Sequence, residues 1–427
     1  MSSLAPLRAV RFDPGQVDLG GALAPPYDVI SPEQRERLYA RDLRNIVRID
    51  YGRDEPGDRP GAEDRHTRAA GHLEAWLELG ILRRDPRPAV YIADHEFVAE
   101  DGSRRTRRGL YLRTPALPWD EAAVLPHERT LRGPKEDRLA LMRSTRMQTS
   151  AVFALWDTAP GIEEAMAAAT ATDPDAAGTT EGEVGPEHHR LWVVDDPARM
   201  GAVLEALGSS RLYIADGHHR FETAATYAAE RRAAEPGAAA GADFGMTLLH
   251  LCAAGDPSIE VLPTHRLVRP AAGVPDRVAD LLARLEGAFE AEPAGSLAEA
   301  VDAARDHRDG EHALAVAGLD GAFLLLAPRR AGASPRAALD VSVLQELILE
   351  RACGLSADAV AGGALGYTRS VDDAEESVAA GTAALAVCLN GCTTGEIIAV
   401  SDARETMPQK STYFYPKVPT GLVLSPL

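Results

Sequence analysis

The chain has 427 residues, of which 45% are hydrophobic and 26% charged, so we expect a globular protein with more than one core and no extended disorder. Its net charge of −19 argues against broad contact with phosphate backbones, and we expect no nucleic-acid partner. No run of about 18 apolar residues exists, and the first residues lack an apolar signal core, so we expect no membrane partner and a cytoplasmic protein.

Residues 1–118 are predicted to form an N-terminal α/β segment. Ser31 is placed to cap a helix that has Pro32 at its first position. The stretch "HTRAAGHLEAWLELGIL" has helical apolar spacing, and "AVYIADHEFVA" and "RRGLYLRT" read as strands around the turn "EDGS".

Residues 119–230 are predicted to form the core that carries the site. A loop and a helix around Glu136–Arg143 lead to the strand "SAVFALW", and "LYIADGHHRFETAATY" gives a strand, a turn and a helix. Between them, residues 157–211 are interpreted as an insertion. Residues 231–427 continue as a C-terminal α/β segment, with a hairpin at "GLDG" and a Lys-rich packed tail. The predicted fold class is α+β (mixed α/β).

The stretch "ADGHHR" combines an anion site with a carboxylate. A strand that ends at Asp216-Gly217 and starts a helix exposes free backbone N–H groups, and the helix dipole attracts anions there. His218, His219 and Arg220 add donors for a phosphate. Asp216 is a candidate ligand for magnesium or acceptor from a substrate hydroxyl. The alternative is a solvated helix start capped by the same aspartate.

The stretch "LPHERTLRGPKEDR" offers a candidate general base. His127 and Glu128 precede a helix that carries Lys135 and Arg138, two cations able to lower the pKa of Glu128 and orient it. His127 and Lys135 are also candidates for binding the substrate. A carboxylate beside an anion site is what activation of an alcohol requires. A charged, capped loop is the alternative.

The stretch "MPQKSTYFYPKVPTGL" near the C-terminus, residues 407–422, is called the tail below. It is rich in proline and aromatic residues, so it is expected to pack rather than fray. Lys410, Ser411, Thr412 and Lys417 make it a candidate cationic clamp on a phosphate, with a purely structural tail as the alternative. It lacks the upstream glycines of a P-loop. In "PTHRLV", His265 and Arg266 are candidates for lining the same cleft.

Together, "APPYDVI", "HERTLRGPKEDRL", "YIADGHHRFETA", "LPTHRLV" and "MPQKSTYFYPK" resemble the domain of unknown function 1015 family, from about residue 5 to residue 427. That family name implies no activity. Within residues 120–230, "LPHE", a helix, "SAVFALW" and "YIADGHHR" are also similar to the free serine kinases of the ParB/sulfiredoxin superfamily. The second resemblance implies a ParB/sulfiredoxin-like core. It further implies Glu128 as general base, Asp216 at a metal or substrate hydroxyl, and phosphate contacts from His218, His219 and Arg220.

The sequence therefore predicts a phosphotransferase that moves a phosphoryl group from ATP or ADP, with magnesium, to the hydroxyl of a small metabolite, with L-serine the first candidate. A ParB-like regulatory module that binds or hydrolyses a nucleotide is the alternative, and it has no need of a base at Glu128. A metal-dependent hydrolase ranks last, because no histidine pair has the helical i, i+4 spacing. A homodimer is compatible with the sequence.

Overall fold

The computed structural model describes residues 4–128, 132–239, 241–308, 310–329, 332–356 and 359–427. These residues form two compact units. Unit 1 contains residues 4–126, 132–260 and 415–427, and unit 2 contains residues 127–128 and 261–414.

The strands alternate with helices along most of the chain. In chain order they are β1 (Val10–Phe12), β2 (Leu82–Arg84), β3 (Val90–Val98), β4 (Arg104–Pro115), β5 (Val124–Leu125), β6 (Met147–Gln148), β7 (Val152–Trp156), β8 (Ala176–Glu181), β9 (Pro186–Val194), β10 (Leu212–Asp216), β11 (Met246–Ala253), β12 (Glu260–Leu262), β13 (His265–Val268), β14 (Glu290–Ala294), β15 (Glu311–Gly318), β16 (Gly321–Pro328), β17 (Leu365–Thr368), β18 (Leu385–Leu389), β19 (Tyr413–Tyr415) and β20 (Ser425–Pro426).

The α-helices range from single turns to 17 residues. They are α1 (Leu19–Ala22), α2 (Pro32–Arg41), α3 (Val47–Asp50), α4 (Arg65–Glu78), α5 (Arg132–Thr145), α6 (Ile162–Ala169), α7 (Pro197–Leu207), α8 (His218–Ala234), α9 (Val278–Leu285), α10 (Leu297–Asp306), α11 (Asp340–Val343), α12 (Val371–Ala379) and α13 (Thr394–Asp402). Residues Leu344–Ala352 and Val360–Ala364 are π-helical, and Tyr27–Val29 and Asp243–Gly245 are 3-10 turns.

Unit 1 is built on a mixed eight-stranded sheet in the order β5-β10-β7-β11-β4-β3-β9-β8. Successive side chains of each strand point to opposite faces of the sheet, and residues such as Ile92, Leu110 and Ile214 share one apolar face. Helices α6 and α7 cover that face through Met166 and Val203, and these side chains are buried in one core. Burial of this face stabilises the strand β10, which ends at the candidate site.

Helices α5 and α8 of unit 1 pack against each other through a second, smaller core. Met142 of α5 meets Ala224, Tyr227 and Ala228 of α8, and all four are buried. Because α8 begins immediately after β10, this packing fixes where the first turn of α8 lies.

Unit 2 contains an antiparallel six-stranded sheet in the order β14-β16-β15-β18-β13-β17. Helices α10 and α12 bury Leu297, Ala300 and Val378 against small residues of β15 and β18, such as Ala315 and Ala386. The small side chains let helix and sheet approach closely.

The mixed α/β class predicted from the sequence is confirmed. Residues 157–211, interpreted as an insertion, contribute β8 and β9 to the same eight-stranded sheet, together with α6 and α7. The boundaries at residues 118 and 230 and the ParB/sulfiredoxin-like core stay predictions. None of the described helices combines the length and the apolar composition that a membrane span requires.

Candidate functional site

The turn between β10 and α8 has a backbone conformation that favours glycine. Gly217 has φ of 93°, in the left-handed region, and a Cβ added there would lie 2.9 Å from the Arg220 Nε atom. The predicted strand, turn and helix of the "ADGHHR" stretch are confirmed, and they bring Asp216 and Arg220 together across one turn.

The N-terminus of α8 differs from most other helix starts in the chain, because the residue at its N-cap has no side chain to cap it. Its first residues are His218, His219 and Arg220, so no carboxylate complements the helix dipole in that turn. Elsewhere a side chain accepts from the first turn at Asp18, Ser31, Asp64, Asp196, Ser296, Ser370 and Thr393. The dipole of α8 and the positive charge of Arg220 at its start suit an external anion.

Asp216 lies between two cations. Arg220 Nη2 donates to Asp216 Oδ2 at 2.7 Å, and Lys417 Nζ lies 3.3 Å from Asp216 Oδ1. Arg220 Nη1 also donates to the carbonyl oxygen of Ala151 on the neighbouring chain segment. Burial raises the pKa of Asp216, but the charges of Lys417, Arg220 and His218 outweigh it and hold that pKa well below its ordinary range. We call Asp216, Gly217, His218, Arg220 and Lys417 the Asp216 cluster.

The two histidines of the turn have different environments. His218 is buried, with its ring 6.3 Å from that of Trp119, which stacks on Phe221 at 4.5 Å. His219 is half-buried, and its carbonyl oxygen accepts from the Thr223 hydroxyl at 2.7 Å. His218 is therefore part of the wall of the turn, whereas His219 lies nearer the solvent.

Lys135 has a carboxylate partner within unit 1. Its Nζ donates to Glu222 Oε2 at 2.5 Å, and Trp119 Nε1 donates to Glu222 Oε1 at 2.6 Å. The lysine thus joins α5 to α8 close to the Asp216 cluster. Its predicted roles in binding substrate and in orienting Glu128 stay predictions.

Arg138 is surrounded by residues that lie outside the site predicted from the sequence. It donates to Asp137 at 2.7 Å and to Asp50 at 3.3 Å, and its guanidinium lies 4.0 Å from the ring centre of Tyr27. Burial raises the pKa of Tyr27 to about 12. Tyr27 belongs to the Pro-rich stretch "APPYDVI", which the sequence marks only as one of the family motifs, and nothing around Asp50 marks that residue in the sequence.

In unit 2, Glu128 lies beside the first part of the tail. The Lys410 backbone N–H donates to Glu128 Oε1 at 3.3 Å, and the Met407 N–H donates to the His127 carbonyl oxygen at 2.8 Å. The buried His127 Nε2 is 3.1 Å from the Thr412 hydroxyl. We call His127, Glu128, Lys410 and Thr412 the Glu128 cluster.

Arg266 binds the same tail segment through backbone carbonyl groups. Its Nη2 donates to the carbonyl oxygens of Gln409 at 3.0 Å and Lys410 at 3.1 Å, while burial lowers its pKa to about 10. His265 is buried beside it, and burial followed by the charge of Arg266 lowers its pKa to about 4. Ser411 is buried and donates to the Pro408 carbonyl oxygen, so its hydroxyl makes a hydrogen bond within the tail.

The predicted site residues thus fall into two groups. Unit 1 brings together Asp216, Gly217, His218, Arg220 and Lys417, and unit 2 brings together His127, Glu128, His265, Arg266, Lys410, Ser411 and Thr412. The tail contributes to both groups. The action of Glu128 on a ligand at the Asp216 cluster stays a prediction.

A magnesium ion fits Asp216 poorly in this arrangement. Both carboxylate oxygens already face cationic groups, so a divalent cation would have to replace Lys417 or Arg220 there. The donor set of the Asp216 cluster instead matches an anion.

Three comparisons with known proteins bear on the family. A sequence model of the family described as "Protein of unknown function (DUF1015)" matches residues 4–342, whereas no curated protein matches the chain.

Similar solved structures include a conserved hypothetical protein from Pyrococcus furiosus, at 14% identity and a TM-score of 0.37 over 74% of this chain and 95% of that one. A free serine kinase in complex with AMP matches at 15% identity and a TM-score of 0.36, over 73% of this chain and 92% of that one. SbnI from Staphylococcus aureus, with a C-terminal truncation, matches at 9% identity and a TM-score of 0.37, over 74% and 87%. These TM-scores are too low to carry an activity over to this chain.

Proposed function

The chain belongs to the DUF1015 family, and we propose that this member is a small-molecule phosphotransferase that uses ATP or ADP. The observation that carries the proposal is the Asp216 cluster. Two cations, Arg220 and Lys417, lie at an uncapped helix N-terminus that begins at a glycine. Positive charge placed at a helix N-terminus is an arrangement that binds nucleotide phosphates.

Asp216 has a supporting role in this proposal. Its low pKa keeps it ionised at neutral pH, so it holds the Arg220 guanidinium and the Lys417 ammonium in place without a proton of its own. Two fixed cations at one point stabilise the negative charge that is shared between donor and acceptor during phosphoryl transfer.

Glu128 is the proposed general base. It takes the proton of the acceptor hydroxyl as the oxygen forms a bond to the terminal phosphorus of the nucleotide. The bond between that phosphorus and the bridging oxygen breaks, and ADP leaves when ATP is the donor, or AMP when ADP is the donor. His127 is bound to Thr412, and the Lys410 N–H to Glu128, so the tail of unit 2 orients this carboxylate.

Magnesium enters the proposal with the nucleotide. Mg²⁺ prefers phosphate oxygens and water to full protein cages, and it neutralises charge on the transferring group. L-Serine is the first acceptor to test, as the resemblance of "LPHE" and "DGHHR" to the free serine kinases implies.

The test is an incubation of the protein with Mg²⁺, either ATP or ADP, and a panel of hydroxy amino acids and hydroxy acids, followed by mass spectrometry. Phosphorylated acceptor in the wild type and its loss in Glu128→Gln support the proposal. Inorganic phosphate without phosphorylated acceptor supports the regulatory nucleotide hydrolase instead. Absence of both products from all panel members contradicts the proposal.

A further inference from the structure

A row of polar side chains crosses the eight-stranded sheet of unit 1 where apolar residues are expected. Arg107 on β4 lies directly opposite His95 on β3, which lies opposite His189 on β9. Their exposed fractions are 1%, 5% and 1%. Burying a guanidinium and two imidazoles costs several kcal/mol unless their polar atoms find partners, so the contacts of this row are informative.

The hydrogen bonds of the row have a defined direction. Arginine is only a donor, so the contact of 3.3 Å between Arg107 Nη2 and His95 Nδ1 makes Nδ1 the acceptor. The proton of neutral His95 is then on Nε2, which donates to Glu187 Oε2 at 2.7 Å. Burial, followed by the charge of Arg107, lowers the pKa of His95 and keeps the imidazole neutral.

The other side of Arg107 faces the end of the tail. Nη2 donates to the Pro416 carbonyl oxygen at 2.9 Å, and Nη1 lies 3.5 Å from that of Tyr415. The guanidinium is 5.0 Å from the ring centre of Phe153. Among the described residues, no carboxylate lies within ion-pair distance of Arg107, so backbone carbonyl groups are its main partners.

Lys417 directly follows Tyr415 and Pro416, the two residues whose carbonyl groups Arg107 contacts. Only three of the 45 basic residues in the chain are lysines, namely Lys135, Lys410 and Lys417, and every other one is arginine. A chain that uses arginine almost everywhere keeps lysine at these positions. Lysine offers a compact point charge, whereas arginine offers a wide planar fork, and the compact Lys417 ammonium lies beside Oδ1 of Asp216 while Arg220 bonds Oδ2.

We propose that Arg107, held by His95 and Glu187, is a positioning residue that fixes Tyr415 and Pro416 so that the Lys417 ammonium lies at Asp216. The inference rests on the proposed function for its catalytic consequence, but the placement of Lys417 does not depend on it. Tyr415 is also held through its side chain, because its hydroxyl donates to the Val98 carbonyl oxygen at 3.1 Å.

A divalent metal is the competing use of this row. His95, Glu187 and His189 offer ligand atoms within 4.8 Å of one another, and the buried His189 Nδ1 has no hydrogen-bond partner among the described residues. However, a metal at His95 Nε2 needs the lone pair of that atom, whereas the Arg107 donor places the proton there. A ligating histidine normally donates from its other nitrogen, and here that nitrogen accepts.

The test uses the small number of lysines. Protein labelled with ¹³C-lysine gives one set of Cε signals for each lysine, and single Lys→Arg variants assign them. In Arg107→Met the Lys417 signal is expected to move towards that of solvated lysine, while the Lys135 and Lys410 signals stay. Arg104→Met removes an exposed arginine from the same strand and is expected to leave all three unchanged.

The functional readout is a double-variant cycle on phosphoryl transfer. Arg107→Met and Lys417→Met are each expected to lower the rate about tenfold or more, and the double variant no further than the worse single one. A Lys417 signal that moves without any transfer activity in the wild type upholds the positioning role and overturns the proposed function.

Three outcomes overturn the positioning role. One is an unmoved Lys417 signal in folded Arg107→Met, and another is additive losses in the cycle. The third is a Co²⁺ complex with d–d absorption that His189→Ala abolishes, since it would show that the row is a metal site. If Arg107→Met does not fold, Tyr415→Phe removes only one hydroxyl bond, and it must still move the Lys417 signal.

Discussion

Lys417 Nζ lies 3.3 Å from Asp216 Oδ1, although residues 261–414 of unit 2 separate the two in sequence. The contact joins the end of the tail to the turn before α8. Lys417 and Arg220 place two positive charges beside one carboxylate, which leaves a net positive site at a helix N-terminus.

Replacement of Lys417 by methionine is expected to weaken Mg-ATP binding about tenfold or more, because a charge-assisted contact to phosphate is lost. The same substitution at Lys410, whose side chain is exposed, is expected to have the smaller effect, since the backbone N–H bond to Glu128 survives it. Isothermal titration calorimetry of both variants measures this. A larger loss of affinity in the Lys410 variant would show that Lys410, and not Lys417, contacts the phosphate.

The Gly217→Ala variant is expected to lose about 1–3 kcal/mol of stability and most nucleotide affinity, since alanine is strained at a φ of 93° and its Cβ meets Arg220. Gly201→Ala in α7 is the matched control. No atom lies within 4 Å of a Cβ there, so alanine should stabilise that helix by about 0.5–1 kcal/mol. Urea unfolding of the two variants should therefore shift in opposite directions, and equal shifts would refute the account of the turn.

Glu128→Gln is expected to bind Mg-nucleotide as the wild type does and to lose phosphoryl transfer at least about 100-fold, because an amide cannot take the proton of the acceptor. The glutamine carbonyl can still accept from the Lys410 N–H, so the tail should keep its place. Affinity and turnover measured on the same preparation separate the two effects. A parallel loss of affinity would mean that Glu128 acts in binding rather than as a base.

Local patterns in the sequence predicted the elements that local forces decide. Ser31 accepts from the Gln34 N–H as the N-cap of α2, and the hairpin at Gly318–Gly321 and the strand Val152–Trp156 are confirmed. The stretch "LDVSVLQELILERAC" has the apolar spacing of an amphipathic helix, and the structure divides it into the α-helix Asp340–Val343 and the π-helix Leu344–Ala352.

Contacts that depend on the long-range path of the chain could not be predicted from the sequence. Lys417 was a candidate because of its prolines and aromatic neighbours, but nothing in its own segment names Asp216 as its partner. Arg107 and His95 look like polar residues on a solvated face of a strand, and only the pairing of β3 with β4 and the tail above them show that both are buried.

Acid is expected to destabilise unit 2 through His265, which is 2% exposed. Its folded-state pKa of about 4 lies below the ordinary value of 6.5, so the unfolded chain binds the proton first as the pH falls. The stability that neutral His265 contributes is complete above about pH 6.5 and is lost between there and about pH 4, up to about 3 kcal/mol in total. Urea unfolding of His265→Gln from pH 7.5 to 4.5 should show a shallower pH dependence than the wild type, and identical slopes would contradict the assignment.

Phosphoryl transfer by this protein can be followed directly in a ³¹P NMR time course of the wild type with Mg²⁺, L-serine and either ATP or ADP. We expect a new phosphomonoester signal that grows as the terminal phosphate signal of the nucleotide falls, in equal amounts. Lys417→Met and Glu128→Gln are expected to suppress it. If every acceptor of the hydroxy-compound panel leaves the nucleotide unchanged, or yields only inorganic phosphate, the Asp216 cluster is not the phosphate site of a phosphotransferase.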